Sequence, residues 1–171
     1  MNIITTITTT IIIITTTITT TTTIRVDNKR GFRLCNTPQH AELNSVDVRE
    51  CRRWPCLARA GRRGSYKVTF TPYTDSPIGR VSSDIYAWVE LPYGGQTPIR
   101  VSVPGETNQP VCPHLSPPCP LPPATPATLN KALTIPLQAR MAVGNRVVVE
   151  FRVTDGQGRV MVCFHAPVIV A

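Results

Sequence analysis

The sequence predicts an antiparallel β-sandwich, and three observations support this fold class. Several runs of apolar residues alternate with polar residues, as in strands that bury one face. Turn-forming Gly, Pro, Asp and Ser residues separate the runs, and no long stretch keeps the 3.6-residue period of a helix. Six cysteines are spread through the same region. About seven short strands at this spacing are typical of a sandwich.

The alternation places the strands and turns in chain order. It predicts strands at residues 66–71, 85–91, 99–103, 146–153 and 160–170. Turns are predicted at 74–77, 92–95 and 155–158, and the last of these joins two strands as a hairpin. Residues 117–123 are rich in proline, which donates no ladder hydrogen bond. We expect a stiff, disulfide-anchored loop there, and the alternative is a proline-rich ligand for a partner domain.

The cysteines fall into two close pairs and one remote pair: Cys51 and Cys56, Cys112 and Cys119, Cys35 and Cys163. Six cysteines allow many pairings, and we prefer the one that joins near neighbours and leaves the remote pair for each other. Zinc sites usually contain Cys-x2-Cys pairs with histidines, and neither close pair has that spacing. Disulfides are therefore favoured, no metal site is expected, and a secreted or lumenal protein follows.

The chain divides into three segments: residues 1–24, residues 25–31 and residues 32–171. Residues 3–24 contain only isoleucine and threonine. They stand where a signal peptide would, yet they lack a basic n-region and an Ala-x-Ala cleavage motif. Three interpretations stay open: an atypical signal peptide, a disordered low-complexity tail, and a wrongly predicted start. Residues 25–31 are a charged lead-in, and residues 32–171 are the predicted domain.

The formal net charge is +8, and much of it is concentrated in one cluster of arginines. The cluster consists of Arg49, Arg52, Arg53, Arg59, Arg62 and Arg63. Such a cluster is either a solvated loop or a contact for an anionic membrane, a sulfated polysaccharide or nucleic acid. We do not expect nucleic acid, because no nucleic-acid motif accompanies the cluster and because the disulfides imply an oxidising compartment.

The sequence carries no catalytic signature. It has no Gly-x-Ser-x-Gly, no His-Glu-x-x-His and no phosphate-binding loop. The histidines are scattered at His40, His114 and His165, and the few carboxylates form no pair that suggests acid–base chemistry. We therefore expect that the protein is not an enzyme and needs no cofactor.

Several segments, taken together with the order of the cysteines, carry a resemblance to a known family. The segments are residues 32–35, the Cys51-x4-Cys56 loop, residues 64–71, residues 98–104 before Cys112, and residues 129–131, 136–137, 147–151, 162–164 and 167–170. They resemble the lipid-recognition (ML) domain family of the Niemann-Pick type C2 cholesterol-binding proteins and the mite group 2 allergens. The resemblance covers roughly residues 32–171, and the Ile/Thr segment lies outside it.

The resemblance implies an immunoglobulin-like sandwich with the disulfides Cys35–Cys163, Cys51–Cys56 and Cys112–Cys119. It also implies an apolar cavity between the two sheets that holds a sterol or an acyl chain. Val101, Leu137 and Met141 match the family's contacts at the cavity mouth, although Val101 and Met141 stand where aromatic residues are usual. Alternation adds deeper candidates, each of which would serve equally as ordinary core: Val68, Phe70, Val89, Val149, Phe151 and Phe164.

The function expected from this resemblance is that of a lipid-binding protein, outside the cell or in the endosomal or lysosomal lumen, that holds a sterol or similar lipid and transfers it. We expect a monomer whose arginine cluster contacts an anionic membrane or whose partner is a lipid-accepting membrane protein. The first alternative is a recognition protein of the same fold that senses microbial lipid or lipopolysaccharide. The second is a structural sandwich that binds no ligand.

Overall fold

The computed structural model of the protein describes residues 31–49, 51, 54–90 and 97–171. These residues contain eleven β-strands in two facing sheets. In chain order the strands are β1 (Arg33–Leu34), β2 (Ala41–Val48), β3 (Cys56–Ala58), β4 (Arg63–Pro72), β5 (Val81–Val89), β6 (Ile99–Ser102), β7 (Gln109–Pro110), β8 (Leu115–Ser116), β9 (Ala127–Thr134), β10 (Arg146–Asp155) and β11 (Val160–Val170). Two short 3-10 helices, Cys112–His114 and Leu137–Ala142, complete the described structure.

The larger sheet, sheet A, has the strand order β1-β11-β10-β5-β6. β3 joins β11 in parallel, and β7 joins β5. Sheet B has the order β2-β4-β9-β8 and is antiparallel throughout its described strands. The predicted all-β sandwich is confirmed.

The hairpin between β10 and β11 shows how the sequence directs one of the turns. The carboxylate of Asp155 accepts hydrogen bonds from the backbone N–H groups of Gln157 and Arg159, both at 2.9 Å. Gly158 has a φ of 78°, which glycine adopts without steric penalty. The predicted turn at 155–158 is therefore present, and it sets the long pairing of β10 with β11.

The core lies between the two sheets and draws on both of them. Sheet B contributes Val68, Phe70 and Leu129, and sheet A contributes Phe151 and Phe164, all buried. Because strand residues alternate between faces, this apolar set corresponds to one face of each strand. Four of the predicted lipid-contact residues therefore belong to the closed core: Val68, Phe70, Phe151 and Phe164.

The strand count differs from the predicted seven for two reasons. Four strands, β1, β3, β7 and β8, are only two or three residues long, which is too short to show an alternating pattern. The alternation also missed β2 and β9, because polar residues interrupt the apolar pattern of both strands, Lys131 on the inner face of β9 among them. The proline-rich residues 117–123 form no strand, as predicted, although Leu121 makes an isolated bridge to Ile78. The predicted turn at 92–95 and residues 1–30 lie outside the described residues.

Three disulfides link the described cysteines: Cys35–Cys163, Cys51–Cys56 and Cys112–Cys119. This is the pairing that the sequence favoured. The first bond ties the segment after β1 to β11 across 128 residues of chain. The other two close short loops of the surface. Among the described residues, no helix is long and apolar enough to cross a membrane.

Candidate functional site

The inner faces of the two sheets are sealed at one end of the sandwich and accessible to solvent at the other. Along β5, the inward residues Val81 and Ile85 are buried, whereas Ala87 and Val89 are partly exposed. On the neighbouring strand β10, Val153 is buried and Val149 is partly exposed, although Val147, further toward this end on the same face, is buried again. Sheet A therefore offers a partly uncovered apolar surface at one end.

Sheet B shows the same change along its inner face. Phe70 and Val68 are buried, and Tyr66, two residues further toward the start of β4, is partly exposed. On β9, Leu129 is buried and Leu133 is partly exposed. The accessible halves belong to the same end, because Ala60, just before β4, donates a backbone hydrogen bond to the C-terminal residue Ala171, just after β11. We call this end the open end, and the partly exposed apolar surface that the two inner faces present there the cleft.

The edge strand β6 lines one side of the cleft with two exposed apolar residues. Ile99 pairs with Val89, and Val101 pairs with Ala87, so both side chains lie on the inner face of sheet A. Each is 49% exposed. The predicted mouth residue Val101 therefore lies at the cleft, and Ile99 is a neighbour that the sequence reasoning did not select.

The 3-10 helix Leu137–Ala142 lies at the open end, because Val143, just after it, bridges to Val170 at the end of β11. The helix carries the other two predicted mouth residues. Leu137 is 58% exposed and Met141 is 86% exposed. The helix is held by Leu137, whose Cδ2 would lie 2.8 Å from a Cβ placed on Gly61. Gly61 has a φ of 76°, a conformation that favours glycine, whereas the exposed end of the Leu137 side chain could shift to admit a Cβ.

The structure thus separates the nine predicted lipid-contact residues into two groups. Val89, Val101, Val149, Leu137 and Met141 lie at the open end. The other four, Val68, Phe70, Phe151 and Phe164, are buried in the closed core. Lipid contact by either group stays a prediction.

Four residues of the cleft were not predicted from the sequence as lipid contacts: Tyr66, Ala87, Ile99 and Leu133. Tyr66, Ala87 and Ile99 stood on the correct face of predicted strands, so the alternating pattern contained the signal. Leu133 lies in β9, which the pattern missed altogether.

A group of polar side chains interrupts the apolar wall at the inner end of the cleft. Lys131 of β9 forms an ion pair with Glu106, and the two side chains are only 12% and 13% exposed. Lys131 pairs in register with Tyr66, so it lies on the inner face of sheet B. Burial, together with the charge of Glu106, raises the pKa of the Tyr66 hydroxyl well above its ordinary value, although the nearby Ser83 hydroxyl acts in the opposite direction. Tyr66 therefore remains a neutral phenol.

The outer face of sheet A contains a second polar group, centred on Glu150. This carboxylate is buried and accepts hydrogen bonds from Trp88 Nε1 at 2.8 Å and from Arg100 Nη2 at 2.7 Å. Arg152 Nη2 lies 3.0 Å from it, and His165 Nε2 lies 3.4 Å from it. Burial alone would raise the pKa of Glu150, but the hydrogen bonds from Arg100 and Trp88 and the charge of Arg100 outweigh it and lower the pKa to about 2.

Arg100 links the Glu150 group to the cleft. Its guanidinium lies 3.4 Å from the centre of the Tyr86 ring on the outer face of the sheet. The same residue stands between Ile99 and Val101 on β6. The ion pair between Arg100 and Glu150 therefore links the short edge strand β6 to β10 on the outer face of the sheet. The inner face of β6, with Ile99 and Val101, lines the cleft.

Basic residues surround the open end. Arg49, Arg59, Arg62 and Arg63 of the predicted cluster are exposed there, and Arg52 and Arg53 lie outside the described residues. The structure adds two exposed arginines that are distant in sequence, Arg140 and Arg146. Arg140 lies in the 3-10 helix with Met141, and Arg146 begins β10.

Two further concave regions lie outside the cleft. One of about 530 Å³ lies on the outer face of sheet B and includes Lys67, His114 and Thr128. The other, of about 570 Å³, lies at the sealed end and includes His40 and Tyr73. Both have largely polar walls.

The predicted enclosed apolar cavity between the sheets stays a prediction, and the accessible inter-sheet surface in this structure is the open-ended cleft. In the described residues, His, Cys, Asp and Glu side chains form no group that could hold a metal ion.

Comparison with known proteins identifies the family. The model of the ML domain matches residues 29–170, and the chain therefore belongs to the ML domain family. This is a lipid-binding family, and its members are not known as enzymes. The family predicted from the cysteine pattern is confirmed.

Solved structures agree with this fold. The chain is similar to a Niemann-Pick type C2 protein from the Japanese carpenter ant, with 12% identity and a TM-score of 0.62, over 82% of this chain and 98% of that chain. It is also similar to the sporulation control protein Spo0M from Bacillus subtilis, with 12% identity and a TM-score of 0.51, over 78% of this chain and 50% of that one. These likenesses concern the fold alone, and the immunoglobulin-like sandwich is confirmed. A comparison with curated protein sequences finds no match.

Proposed function

We propose that the protein binds a sterol or a similar lipid in the cleft and transfers it between membranes. One observation carries this proposal: apolar residues of both inner faces, among them Val89, Val149 and Leu133, are uncovered at the same end of the sandwich. Uncovered apolar surface between two sheets is unfavourable in water, and a lipid would bury it. Each lipid methylene transferred from water contributes about 0.8 kcal/mol, so a sterol or a long chain gains enough to bind without a charged group.

The sealed end explains how such a domain stays folded while part of its interior is uncovered. Phe70, Phe151 and Phe164 close the space between the sheets there, and the Cys35–Cys163 disulfide constrains the unfolded chain. A ligand in the cleft therefore adds to a core that is already formed. Lipid contact by the deep residues would require the sheets to move apart.

The surroundings of the cleft support docking of the open end on an anionic membrane. Met141 and Leu137 project from the 3-10 helix as exposed apolar side chains, and Arg62, Arg63 and Arg140 are exposed near them. Electrostatic attraction to anionic lipid contributes about 1 kcal/mol per basic residue near the surface. Apolar side chains in the same area would enter the interfacial layer. A lipid could then pass between membrane and cleft without crossing bulk water.

The proposed compartment is extracellular or lumenal, and the proposed active form is a monomer. Three disulfides among the described cysteines fit an oxidising environment. Sensing of microbial lipid by the same cleft is the competing function, and the choice of ligand separates the two.

The test is direct titration of the oxidised full chain with dehydroergosterol, a fluorescent sterol. We expect saturable binding that Val101→Arg abolishes, because the mutation places a charge on the apolar wall. Tyr73→Arg at the sealed end is the matched control, since Tyr73 is also exposed, and it should leave binding unchanged. Binding of lipopolysaccharide but not of the sterol would favour the sensing function. Absence of binding by the folded protein to sterols, long-chain alcohols, fatty acids and lipopolysaccharide would contradict a lipid-binding cleft.

A further inference from the structure

The concave region at the sealed end is formed by two turns at the opposite end of the sandwich from the cleft. One turn connects β4 to β5 (residues 73–80), and the other is the hairpin turn between β10 and β11 (residues 155–159). His40, just before β2, also lines the region. Its volume of about 570 Å³ is within the range of about 300–1,000 Å³ that is usual for small-molecule sites. The region therefore has the size of a ligand site, and it shares no residue with the cleft.

Hydrogen bonds hold the walls of this region in place. The backbone N–H of Tyr73 donates to the carbonyl of His40 at 2.9 Å, and the N–H of His40 donates to the carbonyl of Val160 at 2.9 Å. The Thr74 hydroxyl donates to the carbonyl of Ser76 at 2.8 Å within the first turn. Because the free protein already makes these bonds, a ligand would bind without having to order the turns.

The side chain of Arg80 lies against the hairpin turn. A Cβ placed on Gly156 would be 3.1 Å from the Cβ of Arg80 and 3.8 Å from both its Cγ and its Cδ. The aliphatic part of Arg80 therefore passes over Gly156, which positions the side chain between the two turns. In the part of the chain that the structure describes, no ion pair includes Arg80. Its charged N–H donors therefore remain available to a ligand.

Tyr73 adds an aromatic surface to the same region. The residue is 63% exposed, so much of its apolar ring faces water. The charged residues Arg80, Arg159, Asp75 and Asp155 also line the region. Asp155 is buried and accepts a hydrogen bond from Arg159 Nε at 2.7 Å, which leaves the exposed Asp75 as the carboxylate that a ligand can reach. Because the arginines and aspartates are equal in number, the region combines donors and acceptors without a strong excess of either charge.

We propose that this region binds a neutral saccharide. A sugar ring has a face of C–H groups, which the Tyr73 ring would cover, and hydroxyls at its edge that both donate and accept. Arg80 supplies donors for these hydroxyls, and Asp75 supplies an acceptor. An anionic ligand would meet Asp75 as well as Arg80, so the site favours an uncharged one. The saccharide site does not depend on lipid binding, because it lies at the other end of the sandwich.

The experiment titrates the oxidised, isotope-labelled full chain with a panel of neutral saccharides and follows the NMR shifts of the backbone amides. Mannotriose and N-acetyllactosamine represent protein-linked glycans, whereas maltotriose, cellotriose and chitotriose represent polysaccharides. At least one of them should bind saturably, with a dissociation constant of about 1 mM or lower. The shifts should be confined to residues 73–80, residues 155–159 and their neighbours. The preferred member of the panel identifies the source of the saccharide.

Variants test the two side chains that the proposal assigns to the ligand. Tyr73→Ala should weaken binding by about tenfold or more, because it removes the aromatic surface. Arg80→Ala should weaken it by about three- to tenfold, in line with the loss of a hydrogen bond from a charged group. Leu57→Ala and Arg33→Ala are the matched controls at exposed positions outside the region, and they should leave the affinity unchanged.

Stability measurements separate ligand binding from simple packing. Tyr73 and Arg80 are exposed, so both variants should unfold at nearly the same denaturant concentration as the parent. If no member of the panel binds to the folded protein, or if Tyr73→Ala binds as tightly as the parent, the saccharide site is overturned. Binding of a heparin disaccharide but of no neutral saccharide would also overturn it, because the region would then be an anion site. Each of these results would leave the proposed lipid-binding cleft intact.

Discussion

Tyr66 of sheet B packs edge-on against Phe151 of sheet A, with 5.2 Å between ring centres and 71° between ring planes. This contact joins the two sheets at the boundary between the cleft and the closed core. Phe151 also packs against Phe164 at 5.2 Å, so the boundary continues into the buried aromatic group. The two ends of the sandwich should therefore respond differently to mutation.

Truncation of apolar residues should lower the free energy of unfolding strongly in the core and only slightly in the cleft. Phe151→Ala should lower the free energy of unfolding by about 3–5 kcal/mol, as for other buried phenylalanines. Val89→Ala should lower it by about 1 kcal/mol or less, because Val89 is partly exposed. Urea denaturation of the ligand-free protein measures both values. Equal losses at the two positions would contradict the division into a sealed and an open end.

The Lys131–Glu106 pair predicts a non-additive double mutant. Lys131→Met alone leaves Glu106 buried without its partner, which should destabilise the protein by about 3–5 kcal/mol. Adding Glu106→Gln removes the unpaired charge and should recover most of the loss. The measurement is a double-mutant cycle of the free energy of unfolding. Simple additivity of the two single mutants would mean that the ion pair does not link the sheets energetically.

Glu150 predicts a loss of stability in acid. Its pKa is about 2 in the folded protein, below the ordinary 4.5, so the ionised form stabilises the fold. This contribution is complete above about pH 5 and is lost as the pH falls from about 4.5 to about 2, and we expect it to amount to about 2 kcal/mol after screening at the partly exposed arginines.

Comparison of Glu150→Gln with the parent tests this assignment. The variant should be less stable near neutral pH, and the difference should shrink as the pH approaches 2. Glu42→Gln, at an exposed carboxylate of β2, serves as the control and should keep a small, constant difference. If the difference in the free energy of unfolding between Glu150→Gln and the parent does not depend on pH, the carboxylate charge is not stabilising.

The arginines of the open end predict salt-dependent binding to anionic vesicles. Arg62→Glu with Arg63→Glu should reduce partitioning onto phosphatidylserine-containing vesicles by about tenfold or more at low salt. The difference should narrow as ionic strength rises. Arg33→Glu with Arg80→Glu makes the same charge change at exposed sites away from the open end. Equal losses in the two double variants would mean that net charge, and not the open end, governs docking.

The long-range and the short-range disulfides should contribute unequally to the free energy of unfolding. Cys35→Ser with Cys163→Ser opens a loop of 128 residues and should lower the free energy of unfolding by about 5 kcal/mol if chain entropy dominates. Cys51→Ser with Cys56→Ser opens a separation of 5 residues and should lower it by about 2 kcal/mol. Denaturant midpoints of the two double variants give the comparison. A larger loss for the short loop would point to contacts of β3, not to chain entropy.

The fold was predictable where the sequence carries strong local patterns. The alternation around Phe151 and the cysteine order at Cys35 and Cys163 led to the sandwich and its disulfides. β9 was missed, because its inner face includes Lys131, which reads as a surface residue until its partner Glu106 is known. That partner lies in a loop 25 residues away in sequence, and no local pattern indicates it.

The site was predictable only in part for a related reason. Alternation assigns Val68 and Val89 to the same kind of face, but it does not show that one is buried and the other uncovered. This difference depends on which residues from distant parts of the chain cover each position, and a local pattern does not contain that information. The resemblance supplied Val101, Leu137 and Met141, all of which lie at the open end.

The division of the sandwich has a consequence for its evolution. Residues such as Phe70 and Phe151 hold the fold together at one end, while Val101, Leu137 and Met141 are largely exposed at the other. Substitutions at the exposed end are therefore close to neutral for stability. If the proposed lipid binding holds, new ligand preferences can arise there without compensating mutations in the core, so related chains with the same framework are free to diverge in what they bind.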